Sequence, residues 1–370
     1  MDDRVRRVWA LGQTLWLDNL DREMLASGEL ARLVDEVGLG GVTSNPTIFE
    51  KAIRNHPGYQ ADLEELARQS APPLAVYDRL VGDDIRRAAE ILRPKFDERG
   101  GRDGFVSLEV SPRLADDTDR TVEEAERLWR LIDRRNLLIK VPATAAGVPA
   151  IARLTERGIS VNVTLIFSMR QFLAVADAFL RGMEARVRRG ERLDEVNSMA
   201  SFFVSRVDSA VDPLLPEDSP LRGRIGIANC KVAYARWREL YADSRWRALE
   251  AKGARPQRLL WGSTGTKNRA YSDVMYVEEL IGPETINTVP DATLKAFLDH
   301  GKVRATLTEH VEESRRALAE LAQAGVDLDV VCERLQRDGV RAFAESYEKL
   351  LRGIAEREQA LAPAPQPPQL

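Results

Sequence analysis

Asn136-Leu137-Leu138-Ile139-Lys140-Val141-Pro142 reads as a strand with no face left for water. Leu137, Leu138 and Ile139 are consecutive large aliphatic residues, whereas a half-exposed antiparallel strand would alternate apolar and polar side chains. Phe202-Phe203-Val204 repeats the pattern. Strands buried on both faces belong to parallel sheets whose faces are covered by crossover helices.

Outward from this stretch, comparable short apolar runs ending in polar residues occur at 13–18, 41–45, 104–110, 159–165, 200–206, 257–263 and 285–289, so that eight candidate strands result with 136–142. The intervals between them carry helical spacing. Leu25, Leu30, Leu33 and Val37 follow the first run, Val122, Ala125, Leu128 and Ile132 the third, and Phe172, Ala176, Phe179, Met183 and Val187 the fifth. Alternation of strands and helices predicts parallel pairing. An open doubly wound sheet would usually carry a glycine-rich phosphate turn after its first strand, and the sequence has neither G-x-G-x-x-G nor a Walker-type loop. The expectation is therefore an α/β fold, a closed (β/α)8 TIM barrel with additional C-terminal and inserted helices.

A barrel of typical size uses about 250 residues, so a chain of 370 must house the rest elsewhere. Three segments can take them: 51–75, with His56-Pro57-Gly58 and Pro72-Pro73; 208–256, helix-like and rich in Trp and Arg; and 303–360. In the last, Leu328, Cys332, Leu335, Phe343, Tyr347, Leu350 and Ile354 form an apolar stripe expected to pack on the barrel exterior. Residues 1–362 are expected to form a single barrel domain, and the proline-rich 363–370 a disordered tail.

Composition narrows the function. Lys plus Arg number 54 against 58 Asp plus Glu, for a net charge of -4, with 44% hydrophobic and 30% charged residues. That balance excludes global disorder and a nucleic-acid reader built on charge alone. No stretch approaches the roughly 18 apolar residues of a membrane span, and Met1-Asp2-Asp3-Arg4 is not followed by a signal-peptide core, so the cytoplasm is expected. Cys230 and Cys332 lie far apart, and His56, His300 and His310 show no ligand-like spacing, so neither a metal, a disulfide nor a cofactor is expected. Each histidine sits in a polar context, which leaves Ser-His-Asp chemistry short of a base. The chemistry falls to Lys, Asp, Glu or Thr.

In such barrels the reacting groups project from the carboxyl ends of the strands. Those ends carry Asp18, Thr43-Ser44-Asn45, Glu109, Lys140, Asn162 with Thr164, Ser201 with Arg206, and Ser263 with Lys267. Lys140 is the sharpest of them, because lysine is rarely buried and this one stands inside an apolar strand. It is either a lysine reaching to a rim or a carboxylate, or an amine whose desolvation favours the neutral, nucleophilic form. Asp18 and Glu109 are each readable as a cap or an ion-pair partner. Beside an amine nucleophile they also suit the proton transfers of carbinolamine formation and carbon–carbon cleavage. Ser44, Asn45, Asn162 and Ser201 can hydrogen-bond sugar hydroxyls, although Asn45-Pro46 is equally a turn. Arg206 and Lys267, among hydroxyls and glycines, suit a phosphate monoester or a solvated surface.

Taken together and in order, Trp16-Leu17-Asp18, Thr43-Ser44-Asn45-Pro46, Ser107-Leu108-Glu109-Val110, Leu138-Ile139-Lys140-Val141-Pro142-Ala143-Thr144, Asn162-Val163-Thr164-Leu165-Ile166-Phe167-Ser168 and Ser201-Phe202-Phe203-Val204-Ser205-Arg206 resemble the transaldolase family, in its larger bacterial branch, over about residues 12 to 300. The resemblance implies a metal-free class I Schiff-base transferase of the pentose phosphate pathway. Such an enzyme moves a dihydroxyacetone unit from sedoheptulose 7-phosphate to glyceraldehyde 3-phosphate, giving erythrose 4-phosphate and fructose 6-phosphate. By position Lys140 would form the Schiff base, Asp18 would handle the proton of the hydroxyl at the cleaved bond, and Glu109 and Thr164 would hold a proton-shuttling water. Asn45 and Asn162 would grip the dihydroxyacetone unit, with Thr43 and Ser44 beside them, while Ser201, Arg206 and Ser263 would serve the substrate and its phosphate. Many relatives carry arginine in the second phosphate motif, where this chain has Lys267, which keeps the charge without the bidentate fork. Two other readings stay open: a fructose 6-phosphate aldolase-like lyase, and a non-catalytic sugar-phosphate-binding barrel. Phosphorylated sugars are the expected partners, without nucleic acid or membrane, and the chain is expected to be a monomer or homodimer.

Overall fold

In the computed structural model, which describes residues 1–69 and 71–361 apart from the side chains of 358–361, eight strands close into one parallel barrel in chain order. They are β1 (Gln13–Leu17), β2 (Gly41–Val42), β3 (Phe105–Glu109), β4 (Leu137–Pro142), β5 (Val161–Ile166), β6 (Ser198–Phe203), β7 (Arg258–Gly262) and β8 (Thr285–Val289). The expected (β/α)8 architecture is thus the observed one. The proline-rich tail expected at 363–370 lies outside the described residues. Most strand bounds fall within two residues of the sequence reading, and β2 and β6 depart furthest from it. The run 41–45 is a strand only at Gly41–Val42, because Asn45 already caps the helix Pro46–Asn55, its side chain accepting from Thr47 N and Ile48 N with proline at the first helical position. The run 200–206 begins earlier, at Ser198, and stops at Phe203, since Ser205 and Arg206 open the helix Ser205–Val211.

Side chains alternate between the two faces of each strand, and the parallel register aligns them around the barrel. Trp16, Phe105, Leu138, Met199, Leu260 and Ile286, joined by Phe96, form one buried apolar layer inside it. A Cβ on Gly41 would lie 2.6 Å from Trp16 Cδ2 and 2.8 Å from Phe105 O, so only glycine fits that strand position.

Toward the amino-terminal end the interior is polar and densely paired. Arg258 donates to Thr285 O (2.9 Å), Arg102 O (2.9 Å) and Thr14 Oγ1 (3.1 Å), and it lies 3.4 Å from Asp103 Oδ1. Asp103 also accepts from Thr14 Oγ1 and Trp16 Nε1, each at 3.0 Å. Removing one partner of a buried pair strands the other charge at a cost of about 3–5 kcal/mol. Asp103→Ala is therefore expected to lower the urea unfolding free energy by about that amount with the activity per folded molecule unchanged.

The residues beyond a minimal barrel build the helices Pro46–Asn55 and Gln60–Arg68 after β2, three helices between β6 and β7, and Val311–Gln323 with Leu328–Leu361 at the end. The last of these corrects the sequence reading. Its apolar stripe is buried at Cys332, Phe343, Tyr347, Leu350 and Ile354 and half-buried at Leu328 and Leu335, but the helix crosses the carboxyl end of the barrel instead of lying only on its exterior. Gln336 Nε2 donates to Ala143 O (2.8 Å) and Leu165 O (3.0 Å), and Phe343 reaches the barrel mouth. The cause is local. Strand β5 bulges between Val163 and Ile166, with Leu165 in the left-handed region at φ 59°, and Gly339 offers the bulged leucine a surface without a Cβ. Helical periodicity identifies the buried face of a helix but not what buries it. Among the described residues no helix is long and apolar enough to cross a membrane.

Candidate active site

One step further along, two residues on, six of the eight strands present a polar side chain in place of an apolar or glycine position. Asp18 follows Trp16, Thr43 follows Gly41, Ser107 follows Phe105, Lys140 follows Leu138, Ser201 follows Met199 and Thr288 follows Ile286. Register pairs Glu109 with Lys140 and Lys140 with Asn162, so three polar groups share one level. The apolar floor keeps water from approaching the lysine from below.

Lys140 is only 5% exposed. Its Nζ donates to Ser44 O at 3.0 Å, lies 3.3 Å from Glu109 Oε2 and sits 5.6 Å from the centre of the Phe343 ring. Burial raises the Glu109 carboxyl above its ordinary value; the Lys140 cation opposes the shift and the Asp18 carboxylate adds to it. Asp18 is raised too, first by burial, against the pull of Lys140, the hydroxyl of Thr43, Arg206 and Lys267. Thr43 Oγ1 is 2.8 Å from Asp18 Oδ1 and 2.7 Å from Thr288 Oγ1, so the threonine pair fixes the carboxylate from β2 and β8. Ser201 donates to Asn162 Oδ1 at 2.7 Å, and Asn162 Nδ2 to Ser107 Oγ at 3.1 Å. Glu109 Oε2 is buried with the Lys140 amine 3.3 Å away as its neighbour, and Thr164 Oγ1 is buried with no hydrogen-bond partner among the described residues, which leaves the threonine hydroxyl to a water or a substrate oxygen.

One cavity is lined by Asp18, Thr43, Asn45, Lys140, Thr164, Ser201, Arg206, Ser263 and Lys267, all of them residues singled out in the sequence. Ser44, Glu109 and Asn162 lie behind its wall. The Ser44 hydroxyl donates to Ser107 O (2.7 Å), while the Ser44 carbonyl accepts from Lys140 Nζ (3.0 Å). Asn45 holds its helix cap with Oδ1 while also lining the cavity.

Arg206 is mostly buried and has no hydrogen bond or ion pair among the described residues; its guanidinium lies 5.3 Å from the Phe203 ring centre. Burial lowers its pKa and Asp18 partly restores it. A buried cation without a protein counter-ion is costly unless an anion completes it. Lys267, exposed at the rim, adds a second cation to the same wall, and Ser263, at φ 54°, sets its hydroxyl 3.0 Å from that of Ser205.

Among the side chains on this wall that the sequence reading does not assign to the site are Thr288, Phe203 and Phe343, with Leu260 and Pro290. Thr288 stands two residues after Ile286, and the polar-end rule applied to the other strands finds it. Phe203 and Phe343 carry no such signal, because an aromatic residue in an apolar strand or stripe reads as core.

The model of the Transaldolase/Fructose-6-phosphate aldolase family matches residues 15–354. The transaldolase of Thiobacillus denitrificans is 51% identical over 349 residues, covering 93% of this chain and 97% of that protein. Those of Neisseria gonorrhoeae (49% over 344 residues, 93% and 97%) and Frankia alni (46% over 363 residues, 96% and 98%) are similarly close. With a lysine set inside an eight-stranded parallel barrel and matches of this extent, the chain belongs to the transaldolase/fructose-6-phosphate aldolase family.

Proposed function

We propose that the chain acts as a cytoplasmic transaldolase whose Lys140 forms a Schiff base with a phosphorylated ketose. The amine attacks the ketose carbonyl, the carbinolamine loses water, and the protonated imine withdraws electrons from the neighbouring bond. Asp18 takes the proton of the hydroxyl on the far carbon. The carbon–carbon bond breaks, its electrons pass into the imine, and an aldehyde leaves while a three-carbon enamine stays on Lys140. A second aldehyde enters, the bond re-forms as Asp18 returns the proton, and hydrolysis frees the new ketose. Glu109, beside the Lys140 amine, and Thr164, whose hydroxyl is not engaged by the described residues, are assigned the water that carries protons during imine formation. Asn45 and Asn162 are assigned to the dihydroxyacetone unit, Ser201, Arg206, Ser263 and Lys267 to the phosphate end.

The observation that carries this reading is the pairing of a buried amine with a cation lacking a counter-ion among the described residues at one cavity, Lys140 at the floor and Arg206 on the wall. A ketose phosphate matches both ends. Transfer in place of simple cleavage requires that water not protonate the enamine, and Phe203 and Phe343 on the cavity wall support that exclusion. Borohydride added with fructose 6-phosphate is expected to fix a three-carbon adduct on Lys140, read by peptide mass mapping. Label on another residue, or none, overturns the assignment.

A further inference from the structure

Lys267 belongs to the loop 263–274 between β7 and the short helix Met275–Glu278. Both ends of that loop are pinned to buried groups: Thr264 Oγ1 donates to Thr288 O at 2.9 Å, and just past the far end Tyr276 Oη donates to Asp208 Oδ2 at 2.8 Å. Between them the bonds of Thr266 to Ser272 O and of Ala270 N to Asn268 are internal to the loop. Among the described residues two polar contacts leave this middle stretch. One joins the exposed Asp273 and His300; the other runs from Tyr271 Oη to Asp212 Oδ2 at 2.8 Å.

Asp212 is well placed to act as an anchor. It is 6% exposed, its other oxygen accepts from Gly223 N at 2.9 Å, and it directly follows the helix Ser205–Val211 that carries Arg206. Gly223 sits at φ +70°, where a Cβ would come within 2.7 Å of Tyr271 Cζ, so the tyrosine ring rests on a bare backbone. Arg206 and Lys267, the two cations of the cavity wall, are thereby joined outside it by a tyrosine–aspartate bond. An exposed loop lysine loses loop and rotamer entropy when it grips an anion, and ordering the loop beforehand removes part of that cost.

We propose that Tyr271 and Asp212 form a latch that holds the 263–274 loop, and with it Lys267, over the cavity, making Tyr271 a positioning residue for the phosphate end of the substrate. This deepens the transaldolase reading and rests on it. Tyr271→Phe keeps the ring and removes the bond. It is expected to raise KM for fructose 6-phosphate about tenfold, the size of one hydrogen bond, with kcat within about twofold. The inhibition constant of inorganic phosphate should rise in parallel, while borohydride trapping of unphosphorylated dihydroxyacetone on Lys140 should keep its wild-type rate. Gly223→Ala displaces the ring without deleting a polar group and should reproduce the pattern, which keeps the test open if the first variant folds poorly. Unchanged phosphate inhibition, or an equal loss of dihydroxyacetone trapping, overturns the latch. Failure of trapping in the wild-type protein would instead strike the Schiff-base reading, with the phosphate arm still reporting on the latch.

Discussion

Lys140→Met is expected to lower transaldol transfer by about ten-thousand-fold or more, an increase of about 5.5 kcal/mol in the barrier, while the protein still folds. Chemistry and packing separate at this position. Methionine reproduces the aliphatic stem between Ile139 and Val141 but offers no amine, so the covalent route closes. The structural cost falls on the groups around the amine, Asp18 among them, which loses part of the charge that opposes its burial. Ser44 O loses its donor, a loss of about 1–3 kcal/mol for a buried acceptor, and Glu109 loses its neighbouring cation. Burial already biases Glu109 toward its neutral form, so it can protonate instead of remaining as a buried unpaired charge. Lys140→Arg tests the same point from the other side, because a guanidinium keeps the charge but is never deprotonated at working pH and should be equally inactive. A coupled assay of aldehyde release, read beside urea unfolding, measures both quantities. Activity within tenfold of the parent in either variant contradicts the role.

Why the lysine is legible and the helix across the barrel mouth is not follows from what sequence patterns encode. Lys140 stands out because a cation in an apolar parallel strand has no inexpensive explanation, and period-two alternation then places Asp18, Thr43, Glu109, Thr164 and Ser201 at the same end of the barrel. The eight strands are legible for the same reason: runs apolar on both faces demand covering helices. The boundary differences at β2 and β6 arise where helix-starting residues, Asn45-Pro46 and Ser205-Arg206, follow a strand with little or no loop. The placement of the C-terminal helix is not legible, because its approach depends on a bulge at Leu165 and on Gly339, residues far apart in the chain. Ser44 shows the converse limit: its position at a strand end is readable, but not that its hydroxyl turns to Ser107 O and leaves its carbonyl for the lysine.

Asp18→Asn and Glu109→Gln are expected to reduce turnover by about 10²–10⁴-fold, the usual reach of general acid–base catalysis, yet to stop the reaction at different stages. In the first variant the asparagine amide oxygen can still accept the Thr43 hydroxyl, as the Asp18 carboxylate does, so the site keeps its shape, but the amide cannot take the proton whose departure drives carbon–carbon cleavage. Imine formation should survive, and borohydride with fructose 6-phosphate should then fix an intact six-carbon phosphate on Lys140 where the parent fixes three carbons. Glu109→Gln should instead slow trapping itself, because its oxygen beside the lysine is assigned to the protons of carbinolamine dehydration. A three-carbon adduct in the Asp18 variant would remove that residue from cleavage. The pH dependence gives an independent check. The Asp18 carboxyl is raised above its ordinary 3.8 by burial, so the acid limb of turnover should lie above that value in the parent. The sign for stability follows from linkage: a carboxyl whose pKa is higher in the folded than in the unfolded chain binds more protons when folded. Its ionisation therefore costs nothing below the unfolded pKa and lowers stability progressively as pH rises through the window up to the folded one. Replacing Asp18 by asparagine removes that cost, so the variant should match or exceed the parent in urea midpoint at neutral pH while losing its turnover. A residue kept only to hold the barrel together would show the opposite combination, and for that reason the two measurements on one variant distinguish a cleavage base from a structural carboxylate.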